Sequence, residues 1–230
     1  MCSGRSPWAC RHVHPAIECA LHLHAQGLRP EHMASLRLET YAVALSFADQ
    51  ATPQTPLQGK FSLQHGVAWA LCHGSFGLEA TAPAALVQPD CKALRLRVEL
   101  VCGQAQEQAY PHRFGARLSV QMQDGSTAVH EVRSVLGDPE NPLSPAQVTA
   151  KAQTLLQASG WEDSAAQQLI QACLALPQGL GLGDGLGDGL GDGQSLGDGS
   201  GQWLGQGLGQ GPRLGPLWSG LQAKPAASIK

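Results

Sequence analysis

The sequence predicts an α+β fold, a small antiparallel-containing sheet with packed helices followed by a disordered Gly-rich tail, and three observations carry it. Two alternating runs, Gly115 to Met122 and Thr127 to Val132, flank Asp124-Gly125, and Asp-Gly between such runs marks a β-hairpin. Helical apolar spacing recurs irregularly among the strand-like runs, unlike the strict alternation of a doubly wound parallel sheet. After Pro177 the composition changes: residues 179–220 hold seventeen of the 28 glycines, with Gly-Leu-Gly-Asp repeating through Asp184, Asp188 and Asp192. Glycine at that density loses too much backbone entropy on ordering. One packed domain is therefore expected over residues 1–177, with terminal helices over 144–176, and a low-complexity tail over 178–230.

Taken in order, Pro15 to Gln26 reads as a helix with Ala16, Ile17, Ala20, Leu21 and Leu23 on its apolar face and Gly27 at its end. Met33 to Leu45 reads as a strand, and Ala51 to Gln58, with two prolines, as a loop. Ser62 is an N-cap for a helix through Cys72 and His73 that Gly74 closes. Short helices are expected from Thr81-Ala82-Pro83 and from Pro89 into Leu96, then a strand over Arg97 to Cys102. Ser144-Pro145 supplies an N-cap and a proline for a helix ending before Gly160, and Asp163 to Leu176 forms the last one. Leu155, Leu156, Leu169, Ile170 and Leu174 would leave an apolar patch on these last helices.

A net charge of −3 and a pI near 6.3 exclude the basic footprint of a nucleic-acid binder. No apolar run reaches the roughly 18 residues of a membrane span. The opening lacks a signal-peptide core, so a cytoplasmic location is expected. The seven cysteines form no Cys-x-x-Cys pair and are expected as free thiols, with Cys19, Cys72 and Cys173 buried as small hydrophobes. The Gly/Asp repeat matches neither an EF-hand loop nor a nine-residue calcium repeat.

The chemistry concentrates in Cys10-Arg11-His12-Val13-His14-Pro15-Ala16-Ile17-Glu18, which places a thiol, a guanidinium and two imidazoles at a helix start. Free N–H groups and the macrodipole favour an anion there. Zinc is the rival, through Cys10, His12 and His14, but no second ligand pair follows at zinc-site spacing, so no metal is expected. His22 and His24 read as the wet side of their helix, and His130 as structural or solvated.

The same stretch resembles the Cys-Arg-His-Thr-His segment of the MmgE/PrpD family, the 2-methylcitrate dehydratase-like lyases. Three further segments match in order: Glu39-Thr40-Tyr41, Gln58 to Ala68 around Lys60-Phe61-Ser62-Leu63, and Gly137-Asp138-Pro139-Glu140-Asn141-Pro142-Leu143-Ser144. The resemblance covers about residues 3–176 and implies the family's smaller α+β domain without its large helical domain, hence no activity alone. By position it places Arg5 where the related cis-aconitate decarboxylase has a pocket lysine, Cys10 where it has a pocket histidine, and His65 where it has a pocket tyrosine.

Dehydration of a 2-hydroxy polycarboxylate needs a base, an acid for the leaving hydroxyl and cations for the carboxylates. The candidates are Cys10, His12, His14 and His65 for catalysis and Arg5, Arg11 and Lys60 for binding, with no cofactor. The expected partners are a polycarboxylate and a helical-domain subunit or a second copy of the chain. A non-catalytic interaction module that binds a helical partner is the alternative.

Overall fold

The computed structural model describes residues 8–175, so Arg5 and the glycine-rich tail lie outside the described residues. The chain divides into two units at Lys151/Ala152.

The first unit is built on a four-stranded mixed sheet of order β2-β1-β3-β4: β1 (Met33–Thr40), β2 (Val98–Cys102), β3 (Ala116–Met122) and β4 (Thr127–Val132). β1 pairs with β2 in parallel (Leu38 opposite Leu100) and with β3 antiparallel (Leu38 opposite Leu118). β3 and β4 form the hairpin foreseen at Asp124-Gly125, with Gly125 at φ 85° and the Asp124 carboxylate accepting from Ser126 N–H at 2.8 Å. Met33, Leu36 and Leu38 of β1 and Leu118 and Val120 of β3 are buried on the helix-covered side.

Two helices form the layer that positions the opening segment. α1 (His14–Ala25) buries Ala16, Ile17, Cys19, Ala20 and Leu23, and packs on β3 and β4 and against a second helix, Leu63–His73. Gly66 makes the helix–helix approach possible, since a Cβ there would stand 2.7 Å from Val13 and 3.0 Å from Ile17. Ser62 caps that second helix by accepting from His65 N–H, and Gly74 ends it at φ 65°.

Between β1 and this helix the structure departs from the sequence reading twice. The strand expected over Met33 to Leu45 stops at Thr40, and α2 (Ala42–Ala48) follows. The Glu107 carboxylate, from the helix Gln104–Ala109, accepts from Ala42 N–H at 2.7 Å and satisfies the start of α2 from outside it. The loop expected over Ala51 to Gln58 gives way to α3 (Pro56–Lys60), started by a reciprocal capping box between Thr55 and Gln58. The second helix of the layer is thus α4; α5 (Pro83–Leu86), α6 (Pro89–Arg95) and α7 (Gln104–Ala109) complete the connections.

His24 is not on a wet face: its ring Nδ1–H donates to the Leu71 carbonyl at 2.7 Å and ties α1 to α4. Of the cysteines expected to be buried, Cys19 is buried, Cys72 is half-buried and Cys173 is exposed; Cys91 is buried instead.

α8 (Pro145–Ala158) spans the boundary between the units, and α9 (Asp163–Leu174) belongs to the second. Gly160 turns the chain at φ 80°, and Gln157 donates to Asp163 at 2.6 Å across that turn. The expected apolar patch is partial: Leu155 and Leu174 are exposed, whereas Ile170 is buried. Among the described residues no helix is long and apolar enough to cross a membrane.

Candidate active site

Segments far apart in the chain converge on the start of α1. Cys10 N–H donates to the Lys60 carbonyl at 2.9 Å, joining the opening to the end of α3. The Arg11 guanidinium forms an ion pair with Asp138 and lies over the Phe114 ring, 5.1 Å from its centroid. His12 Nδ1 is hydrogen-bonded to the Tyr41 hydroxyl at 2.7 Å. Glu18 accepts from Leu136 N–H at 3.0 Å, and Asp138 also accepts from Val135 N–H at 2.9 Å, so two carboxylates hold the 134–138 turn against α1.

The His12 ring stacks on Phe47 with 5.5 Å between centroids and planes 4° apart, and Tyr41 stacks on Tyr110 at 4.6 Å. Burial in this aromatic setting, and then the charge of Arg11, lower the His12 pKa, so the ring is neutral at neutral pH. Nε2 is the nitrogen outside the Tyr41 bond. It is a base when Nδ1–H donates to the phenol oxygen, and a proton donor when the phenol donates to Nδ1. Burial raises the Tyr41 pKa and keeps the hydroxyl protonated. Arg11 Nη1 is buried and meets no acceptor among the described residues. The Arg11 side chain is nevertheless 34% exposed, so the guanidinium, already positioned by Asp138, can still meet a carboxylate through its open face.

The other candidates sit differently. His14 is buried, and its Nε2–H donates to the Ala9 carbonyl at 3.0 Å; burial, outweighing that bond, lowers its pKa to about 4. The Lys60 side chain is half-buried, and its segment meets the cluster through the backbone. His65 lies wholly inside the domain on α4. It donates Nε2–H to the Ala80 carbonyl at 2.6 Å, and its Nδ1 faces Arg95 Nη1 at 3.3 Å. Burial first, then the Arg95 charge, lower the His65 pKa to about 4.

Tyr41, Asp138 and Glu18 were not among the sequence candidates, although each stands inside a quoted segment. Their signal was position within those segments; their partners lie 29, 127 and 118 residues away. Among the described residues no three histidine, cysteine or acidic side chains gather as a metal site.

Asp138→Ala is expected to lower stability by about 2 kcal/mol, because it strands a partly buried guanidinium and the Val135 N–H together. Urea unfolding followed by circular dichroism measures this; a change below about 0.5 kcal/mol would mean the turn is held by other contacts.

No curated protein significantly matches the chain. The family model for the MmgE/PrpD C-terminal domain does match, over residues 8–176. That span holds each of the segments that meet around Arg11 and His12, and with it the likeness first seen in short motifs extends through the whole sheet and its helices: the chain belongs to the MmgE/PrpD family and carries its C-terminal domain.

Proposed function

We propose that this domain forms one wall of the pocket of a carbon–oxygen lyase acting on a polycarboxylate of the 2-methylcitrate type. The observation that supports this reading is the convergence of the family segments on a neutral His12, hydrogen-bonded to Tyr41, beside a partly exposed Arg11 that Asp138 positions. In this reading His12 Nε2 exchanges the proton with substrate, and Arg11 grips a carboxylate, assisted by Arg5 and Lys60. Cys10 and His14 set the backbone that presents Arg11 and His12, and His65 holds α4 to the Ala80 turn, so these three act as positioning residues. The facing wall comes from a helical domain, and the α+β domain turns over nothing by itself.

The test is dehydration of 2-methylcitrate, followed by absorbance of the conjugated product, with the purified chain alone and with a separately expressed helical domain of a family member. The expected result is no turnover alone, turnover on mixing, and a loss of about a hundredfold or more on His12→Gln. Substantial turnover by the chain alone overturns the one-wall reading.

One observation favours a second reading, an interaction module without catalytic chemistry. Phe47 is 61% exposed at the rim of the His12 cluster, and Leu57 of α3 is 66% exposed. Such side chains suit a covering partner. Binding of the helical domain with activity that His12→Gln leaves unchanged would select that reading.

A further inference from the structure

A cleft of about 230 Å3, which none of Arg11, His12 and Tyr41 lines, lies where α7 and the segment after it meet the end of β4. Its polar lining is Gln106, Arg113, Glu131 and Arg133. Arg133 Nε donates to the Glu131 carboxylate at 3.0 Å. Arg113 is exposed, and among the described residues its guanidinium has neither an ion pair nor a hydrogen bond. The backbone that carries it is well anchored. Arg113 N–H donates to the Ala109 carbonyl at 2.9 Å, Tyr110 stacks on Tyr41, and Phe114 lies under Arg11.

A second observation singles out this cleft. Gln106 is only 5% exposed, yet its side-chain amide has no hydrogen-bond partner among the described residues. Two glycines make room for it: a Cβ at Gly103 would overlap its Oε1, and a Cβ at Gly115 would stand 3.8 Å from its Cγ. A buried primary amide that makes no hydrogen bond is destabilising, so its presence calls for an acceptor or donor from outside the fold. The cleft is where such a group can reach it. The charges around the cleft select the ligand. Arg113 and Arg133 against Glu131 leave one positive charge, which a single carboxylate balances, whereas a second carboxylate would face Glu131. The volume lies below the roughly 300–1,000 Å3 of sites for drug-sized molecules, and Ala105, Ala109 and Val132 give it an apolar wall.

We propose that this cleft is a binding site for a short-chain aliphatic monocarboxylate. The Arg113 guanidinium donates to the carboxylate in its planar fork, the Gln106 amide N–H donates to one of the same oxygens, and the carbon chain covers Ala105, Ala109 and Val132. Arg113 supplies the attraction at the mouth, and Gln106 fixes the orientation from within. The site is separate from the Arg11–His12 cluster and does not rest on the lyase reading. Its ligand would be held by the segment whose Tyr110 and Phe114 pack on Tyr41 and Arg11, so the two sites share a structural element.

The isotope-labelled full chain is titrated with sodium butyrate at about 0.15 M salt, and the Gln106 side-chain amide signal, identified by its loss in Gln106→Met, is followed by NMR. Butyramide, succinate and inorganic phosphate are titrated in parallel. The expected result is a saturable shift of that signal with a Kd on the order of 1 mM for butyrate, and binding about tenfold weaker or less for the other three. Arg113→Gln, at an exposed position, should weaken butyrate binding about tenfold or more. Gln106→Met keeps the length of the side chain and loses no internal hydrogen bond, so it should abolish binding without lowering the melting temperature. A Gln106 signal that butyrate leaves unmoved up to about 50 mM overturns the proposal, as does butyrate binding that Arg113→Gln leaves unchanged. Succinate or phosphate bound as tightly as butyrate overturns the monocarboxylate assignment. A lowered melting temperature in Gln106→Met would make the amide a structural strut and overturns it too. The wild-type titration decides even if a variant fails to fold.

Discussion

Acidification from pH 7 to about pH 4 is expected to remove about 3 kcal/mol of stability for each of two buried histidines, His14 and His65, and to unfold the domain or leave it marginal. Both rings are neutral in the fold, because a proton would place a charge in an apolar interior and, at His65, beside Arg95. In the unfolded chain each binds its proton at the ordinary histidine pKa of 6.5. A depressed folded-state pKa gives stability that is fully present above about 6.5 and lost as the pH falls toward about 4. Glu18 works the other way: burial raises its pKa, so protonating it in the fold offsets part of the loss. The measurement is urea unfolding at half-unit pH steps, followed by circular dichroism. His14→Gln, which removes one of the two titrations, should flatten the profile. Stability unchanged between pH 7 and pH 4 would show that one or both rings are protonated in the fold.

Tyr41→Ala is expected to cost about 3–5 kcal/mol, the range for removing a fully buried large side chain. The phenol ring fills the space between Tyr110, stacked on it at 4.6 Å, and Phe114, edge-on at 5.7 Å, and its hydroxyl reaches His12. Tyr41→Phe keeps the packing and removes only that hydrogen bond, for about 1 kcal/mol. The pair of variants separates two roles of one residue. If Tyr41→Phe costs as much as Tyr41→Ala, the hydroxyl and not the ring holds the cluster. Under the proposed function Tyr41→Phe also frees the His12 ring to turn, and a fall in turnover of the reconstituted enzyme with stability nearly intact would mark Tyr41 as a positioning residue.

Legibility in the sequence followed the range of the forces involved. Ser62 at the start of α4, Gly74 at its end and Asp124-Gly125 at the hairpin act on neighbours within a few residues, and each stands where the sequence put it. The capping box Thr55-Pro56-Leu57-Gln58 was equally local, but two prolines in the segment masked it. The end of β1 at Thr40 was another matter. Tyr41-Ala42-Val43 has strand-like composition, and the chain turns into α2 only where Ala44 and Ala48 can be buried and Glu107 can meet the Ala42 N–H. That acceptor lies 65 residues downstream.

The candidate site divides in the same way. The sequence by itself determined the family, the α+β class and the stretch, Cys10 to Glu18, around which the chemistry gathers. It could do so because residue types and local order are written in the chain. Only the tertiary structure decided which of those side chains face one another: Arg11 toward Asp138, His12 toward Tyr41, His14 back onto Ala9, and His65 into the interior beside Arg95. Residue type does not set a histidine's charge, whether it stands ready as a base or serves as a neutral strut. Burial and a neighbouring guanidinium set it, and both come into being only when distant segments pack.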